Sequence, residues 1–251
     1  MPMSNNNQTV EATTKPQKKE NALLNLSFNI AIPALLLMKG SQWLGLSATV
    51  TLCAALLFPL SYGLFDLITR KKYNFFSILG VISVLLTGSI GLLKLPKEWI
   101  ALKEAAVPLV LGAVVLGSLK TRYPLVKTFL YNDQIINTTK VDAALNENNQ
   151  HSALDRLLTR ATWLIAASFL LSAALNFSLA KYIIRSETGT EAFTLELGKL
   201  TAWSYPVIAL PCTVVIIITL WQLLSGLEKV TGLPLEEIFV SPQNKKKIPQ
   251  D

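Results

Sequence analysis

The stretch FFSILGVISVLLTGSIGLL, residues 75–93, decides the fold class because it is long, apolar and free of charged residues. An α-helix rises about 1.5 Å per residue, so about 20 apolar residues cross the roughly 30 Å hydrocarbon core of a membrane. An uncharged apolar run of this length is typical of a membrane-spanning helix. We therefore predict that this stretch crosses a bilayer.

Similar stretches lie on both sides of it along the chain. With hydrophobic residues at 51% and charged residues at 16%, the composition also departs from soluble domains, in which about 25% of residues are charged. We predict an all-α fold, a polytopic transmembrane helical bundle over residues 21–227 with about six membrane-spanning helices. The predicted spans are 22–38, 44–68, 75–93, 99–119, 161–183 and 201–225.

The segments outside these spans are polar. Residues 1–20 are rich in Asn, Thr, Lys and Gln, which predicts a disordered tail, and 228–251 are predicted to form a second tail. The longest connection, 120–160, is Asn-rich in its middle. Its last part, 152–160, carries apolar residues at helical spacing, which indicates either a short interfacial helix or an N-terminal extension of the fifth span.

The distribution of basic residues predicts the orientation. If the N-terminus is cytoplasmic, 16 of the 23 Lys and Arg residues fall in inner segments, as the positive-inside rule requires. Both termini are then cytoplasmic, and the net charge of +7 is a topology signal and an attraction to anionic lipid rather than a sign of nucleic-acid binding. The tryptophans, which favour membrane interfaces, all lie near predicted helix ends: Trp43, Trp99, Trp163, Trp203 and Trp221.

Polar residues inside the spans are candidate sites, because they are unfavourable in lipid unless they are paired or solvated. Asn25 and Asn29 share one face of the first predicted helix and either line a polar cavity or hydrogen-bond to a neighbouring helix. Asp66 lies four residues before Arg70, which indicates either an interfacial ion pair or a proton-coupled carboxylate.

Three further candidates lie in later spans. Lys103 and Glu104 are adjacent, so their side chains leave the helix in different directions. We expect Lys103 to extend to the outer surface and Glu104 to be the better candidate for a buried partner. Asn176, in the fifth span, is expected to be a packing or interface residue.

No motif for catalysis, a cofactor or a metal is present. Cys53 and Cys212 lie in apolar stretches and are expected to be buried free thiols, and His151 is expected to be solvated in a loop. The sequence contains no GxSxG, HExxH or P-loop pattern. We therefore predict no catalytic, cofactor-binding or metal-binding residues, and a membrane enzyme is the third-ranked function.

Several short motifs resemble the bacterial intracellular septation protein A family, in a related branch of it. These are LLTGSIGLL (85–93), WIALK (99–103), PLV (124–126) and ALN (174–176). In that family a glycine-bearing helix precedes an aromatic-x-x-x-Lys element, which Trp99 and Lys103 match here. A Pro-Leu-aliphatic step follows the next helix. The resemblance covers about residues 22–226.

The resemblance implies a bacterial inner-membrane protein with a non-enzymatic role in cell-envelope maintenance or septation. Its partners would be the lipid bilayer and other envelope or division membrane proteins, with a homo-oligomer as a further candidate and no nucleic acid or cofactor. The alternative is a small-solute or lipid transporter with a polar cavity around Asn29, Asp66 and Glu104. Local pairing of these groups around a dry core would count against transport.

Overall fold

The computed structural model describes residues 27–70, 75–121, 124–131, 133 and 135–240. Over these ranges the regular structure is helical, and the extended pairing is a single antiparallel bridge between Ile136 and Phe239. The predicted all-α fold is therefore confirmed. The predicted tail 1–20, Asn25 and residues 241–251 lie outside the described part.

The α-helices of the described residues follow one another with short connections. They are α1 (Ile32–Leu44), α2 (Ala48–Arg70), α3 (Phe75–Leu92), α4 (Glu98–Ser118), α5 (Leu125–Leu130), α6 (Thr138–Glu147), α7 (His151–Ile183), α8 (Glu191–Ser204), α9 (Leu210–Thr231) and α10 (Leu235–Ile238).

Two π-helical turns interrupt the regular helices. One, Ser27–Ala31, precedes α1, and the other, Tyr205–Ala209, joins α8 to α9. Pro206 lies inside the second turn and Pro211 lies two residues beyond it. Because proline has no N–H, each removes one regular helical hydrogen bond. The rod nevertheless continues from Glu191 to Thr231 over 41 residues.

Four helices are long and apolar enough to cross a membrane. They lie in Ala48–Phe65, Glu98–Ser118, His151–Ile183 and Glu191–Thr231. The apolar part of α3, Ile78–Leu92, is shorter, and α1 has 13 residues. The transmembrane class agrees with these helices, whereas the count of six spans stays a prediction.

Successive long helices pack antiparallel. A side chain at Gly40 of α1 would meet Thr51 of α2. A side chain at Gly91 of α3 would meet Leu52, which also lies in α2. The pairing continues from α3 to α4, from α4 to α7 and from α7 to α9, and α8 returns to α1. Glycine is required at this closure, because a Cβ on Gly198 would lie 2.9 Å from the Ala34 carbonyl oxygen.

One apolar core lies inside this bundle. The Phe193 side chain of α8 is fully buried at its centre, and the residues around it come from α1, α2, α3, α4 and α7. This core therefore joins α8 to five other helices of the bundle, whereas α9 contributes none of its described members. Its members are Leu37, Leu52, Ala55, Ile90, Ile100, Ala101, Ala180, Ile184, Leu197 and Leu200.

A second core lies at one end of the molecule, in a unit that we call the basal lobe (residues 124–131, 135–160 and 223–240). It joins α5, α6 and α10 to the first turns of α7 and the last turns of α9. Val141, Leu145 and Ile238 are fully buried in it. Burial of about 25 cal/mol per Å² of apolar surface explains why these short helices fold here.

The basal lobe adds helices to two segments predicted as a connection and a tail. Helices α5 and α6 form within the connection 120–160, and of the two alternatives for 152–160 the N-terminal extension of the fifth span is confirmed. Residues 228–240, in the predicted second tail, continue α9 and form α10, whose Ile238 is buried.

Candidate functional site

An ion pair on α4, between a buried lysine side chain and a half-buried glutamate, is the centre of a polar cluster between α3 and α4. The Lys103 Nζ lies 2.8 Å from Glu104 Oε1, and the two side chains are 8% and 29% exposed. The same ammonium group donates to Thr87 Oγ1 at 2.8 Å and lies 3.3 Å from Ser83 Oγ. We define the polar cluster as Ser83, Thr87, Lys103 and Glu104.

The prediction that Lys103 extends to the outer surface is wrong. Its side chain turns toward α3 instead, because two hydroxyl groups there and the neighbouring carboxylate together accept from all three ammonium protons. A charge taken out of water needs such partners. Of the predicted pair, Lys103 is the more buried member and Glu104 is its counterion.

The local backbone contributes to the cluster. Thr87 donates its hydroxyl proton to the Ser83 carbonyl oxygen at 3.0 Å, so its oxygen lone pairs are free to accept from Lys103. Pro108, inside α4, has no N–H to donate to the carbonyl of Glu104, four residues earlier. The cluster is therefore rich in acceptors around one cation.

The other predicted site residues do not join the polar cluster in the described part of the chain. The Asn176 amide donates to the Ser172 carbonyl oxygen at 2.7 Å and to its hydroxyl at 3.2 Å, within its own helix. Asn29 and Asp66 lie on helical backbone, and their side chains are outside the described residues, as is Asn25.

The analysis of the sequence missed Ser83 and Thr87 as partners of a buried lysine. The available signal was their spacing: two hydroxyl residues four positions apart lie on one face of an uncharged helix, and the next helix carries a lysine. Hairpin geometry then brings the two faces together.

The isolated cysteines and the histidine have ordinary surroundings. Cys53 is exposed on the side of α2, so the prediction that it is buried is wrong, whereas Cys212 is half-buried with its Sγ 3.7 Å from the Ser168 carbonyl oxygen. His151 lies at the start of α7, where its Nε2 is 2.8 Å from the Asn146 side-chain oxygen.

At the end of the bundle opposite the basal lobe, the loop before α4 contacts the loop between α7 and α8. Lys97, before α4, lies 2.9 Å from Glu187 in the connection between α7 and α8. The hydrogen bond with Glu187 raises the pKa of Lys97. Thr188 also donates to the Leu95 carbonyl oxygen at 2.9 Å. These contacts join the two loops.

Polar contacts also tie the basal lobe together. Lys127 pairs with Asp155 at 2.9 Å and Lys140 with Glu237 at 3.3 Å. Tyr131 donates its phenol proton to the Asp142 carboxylate. Burial, together with that hydrogen bond, raises the pKa of Tyr131.

Comparison with known proteins gave no match to a family model, to a curated protein or to a solved structure. The resemblance to septation proteins therefore stands on the short motifs alone. The geometry of the polar cluster and of the basal lobe carries the functional argument that follows.

Proposed function

We propose that this protein is a multi-pass bacterial inner-membrane protein that acts without catalysis, by binding other envelope or septation proteins. In this proposal six spans cross the membrane and both termini are cytoplasmic. The short motifs support the envelope role, and the described helices support the membrane location. The docking unit is the basal lobe.

The observation that carries the proposal is the separate core of the basal lobe. A chain that needed only to span the bilayer could join its fourth and fifth spans by a short turn. Here α5, α6 and α10 are instead ordered around Val141, Leu145 and Ile238. Ordering a residue opposes folding by about 1–2 kcal/mol, so a folded lobe outside the spans favours a role in recognition.

The polar cluster supports a structural rather than a transport role. Lys103 and Glu104 satisfy each other and the two hydroxyl groups of α3. The bundle core around Phe193 consists of apolar side chains. The local pairing of Glu104 supports a structural role for this pair.

The test is complementation of a deletion strain. We expect deletion to alter cell shape or osmotic tolerance, and the wild-type chain to restore both. Ile238→Asp places a charge in the fully buried centre of the basal lobe and should fail to restore them, even when it is inserted at a normal level. The matched control is Glu236→Gln, an exposed change on the same short helix, which should complement fully.

Two results would contradict this proposal. The first is a deletion strain with normal morphology and normal osmotic tolerance. The second is full complementation by Ile238→Asp in cells where protease digestion shows that the basal lobe is unfolded.

A small-solute or lipid transporter is the second candidate, and the burial of Lys103 within a membrane-length helix favours it. Charged residues inside spans commonly mark ion or proton paths. The double variant Lys103→Met with Glu104→Gln removes both charges and keeps similar volumes. It should complement if docking is the function, whereas a transporter that uses this pair should lose activity.

A further inference from the structure

A cavity of about 520 Å³ lies between α7 and α9 at the edge of the basal lobe. The wall from α7 contains Leu157, Arg160, Ala161 and Leu164, at helical spacing along one face. The wall from α9 is formed by small and polar residues on its facing side: Thr219, Gln222, Ser225, Gly226 and Lys229. The cavity is therefore built from two regular helix faces.

Close approach of the helices at Gly226 bounds this cavity. A Cβ at that position would lie 2.5 Å from Leu157 Cδ1, so the helices come nearest there. Trp221 also lines the cavity and is 69% exposed, and Trp163 on the neighbouring helix is 58% exposed. Exposed indole rings at this level of a membrane protein favour the headgroup layer.

Two basic residues, Arg160 and Lys229, line the cavity. Within the part of the chain that the structure describes, the side chains of Arg160 and Lys229 make no hydrogen bond or ion pair. The buried Gln222 Oε1 also lacks a donor, and Glu228 adds a carboxylate to the lining. The cavity thus offers two cations, one anion and one unsatisfied acceptor.

This pattern matches one class of ligand. A phosphodiester binds to guanidinium and ammonium groups through charge-assisted hydrogen bonds. The Glu228 carboxylate and the Gln222 amide oxygen are both acceptors, and a primary ammonium group carries enough N–H donors for both. A lipid also places its acyl chains against the apolar surface beside Leu164.

We propose that this cavity binds the headgroup of an amine-bearing phospholipid, with the phosphate on Arg160 and Lys229 and the ammonium group on Gln222 and Glu228. The inference rests on the proposed membrane insertion, because it places the exposed tryptophans at the inner headgroup layer. It adds a defined ligand to a protein whose proposed function is docking.

The test is titration of the delipidated full-length protein in detergent, followed by native mass spectrometry. The probes are phosphatidylethanolamine and phosphatidylcholine with identical acyl chains. Both carry the phosphate, but only the first has N–H donors. We expect phosphatidylethanolamine to bind about tenfold more tightly, the effect of one charge-assisted hydrogen bond.

Three variants separate the contacts. Arg160→Gln should weaken both lipids about tenfold, because the phosphate contact is common to them. Glu228→Gln should reduce the preference for phosphatidylethanolamine, because only this lipid loses a charge-assisted hydrogen bond. The control is Arg156→Gln, which removes the same charge one turn earlier on α7, outside the cavity lining, and should change neither affinity. Thermal melts establish that each variant is folded.

Equal binding of the two lipids by the wild-type protein would overturn the proposal, as would tighter binding of phosphatidylglycerol, which lacks the amine. Competition by soluble glycerophosphoethanolamine as effective as that of the lipid would assign the cavity to a soluble phosphodiester instead. A protein that restores cell shape but does not discriminate between the lipids refutes this inference alone, and leaves the docking function intact.

Discussion

Lys103 shows how a single buried charge fixes the packing of two helices. Its ammonium group is held by Glu104 and by the two hydroxyl groups of α3. Because a buried ion pair is strongly destabilised when one partner is lost, this residue links α3 to α4 more specifically than their apolar contacts do. The pair therefore gives a direct stability test.

Replacing Glu104 should lower the free energy of unfolding more than replacing Lys103 does. Glu104→Gln leaves a buried ammonium group with only hydroxyl partners, whereas Lys103→Met leaves a carboxylate that is 29% exposed and therefore less desolvated by the protein. We expect Glu104→Gln to lower the free energy of unfolding by about 2–3 kcal/mol, with a smaller loss for Lys103→Met. The double variant should resemble Lys103→Met in thermal melts, and additive losses would contradict the pairing.

Replacing each of three glycines with alanine gives a second test at the residue scale. Alanine favours a helix by about 1 kcal/mol over glycine. Gly80→Ala should be stabilising, since nothing lies within 4 Å of the added methyl group. Gly198→Ala should lose about 1–3 kcal/mol, because backbone and side-chain atoms of α1 lie within 3 Å of it. The stability of the Gly226→Ala protein should lie between those of the other two variants, since only the flexible end of the Leu157 side chain must move.

Thermal melts of these variants in one detergent measure the order. A destabilised Gly80→Ala protein would show that α3 has a neighbour on that face. A neutral Gly198→Ala protein would show that α1 and α8 are not in contact at this point.

At the scale of elements, the basal lobe depends on contacts between short helices. Tyr131 follows α5 and donates to Asp142 on α6. Because burial and this hydrogen bond raise its pKa, the folded lobe favours the neutral phenol. The contribution to stability is present below the ordinary tyrosine pKa of about 10 and is lost as the pH rises above it.

The corresponding prediction compares the wild-type protein with Tyr131→Phe. At pH 7 the variant should be less stable, because Asp142 loses its donor. Above pH 10 the advantage of the wild-type protein should shrink, since its unfolded state then releases the phenol proton. Melting temperatures recorded from pH 7 to pH 11 measure this, and a constant difference over that range would contradict it.

The helices inside the spans were easier to predict than those of the basal lobe, for a physical reason. Helix α4 follows from an apolar run between Trp99 and Ser118, because lipid imposes one solution on such a run. Helix α6 is amphipathic and polar overall, and its burial depends on Ile238, about a hundred residues further along the chain. The local sequence of α6 does not indicate so distant a contact.

The polar cluster was predicted only in part, because its contacts depend on how α3 packs against α4. Lys103 and Glu104 stand out as charges in an apolar run. That Lys103 would turn inward depends on Ser83 and Thr87, whose hydroxyl groups look ordinary in isolation. The cavity beside Gln222 was missed altogether, because it arises from two faces that meet only in the folded protein.

At the scale of the whole molecule, the alternating directions of the long helices predict which connections lie on the same side of the membrane. Ser47, Leu95 and Glu187 lie in connections at one end of the bundle, and Glu147 lies in the basal lobe at the other. In a background with Cys53 and Cys212 replaced by alanine, a membrane-impermeant maleimide should label single cysteines at the first three positions in intact spheroplasts. A cysteine at 147 should react only after permeabilisation, as should tags at both termini.

A mixed pattern would contradict six spans. Labelling of position 147 from outside, or of one terminus only, would require an odd number of crossings or the reverse orientation. Recovery of the chain from the aqueous fraction without detergent would refute the membrane assignment itself.

Helix α7 runs for 33 residues, from His151 to Ile183, and its sequence contains neither glycine nor proline. At about 1.5 Å per residue it is about 50 Å long, well beyond the roughly 30 Å of hydrocarbon. One end is embedded in the basal lobe, and the other carries the loop fastened to Lys97. A single uninterrupted helix therefore connects the basal lobe to the loops at the opposite end of the bundle, so a tilt of α7 would displace both ends together.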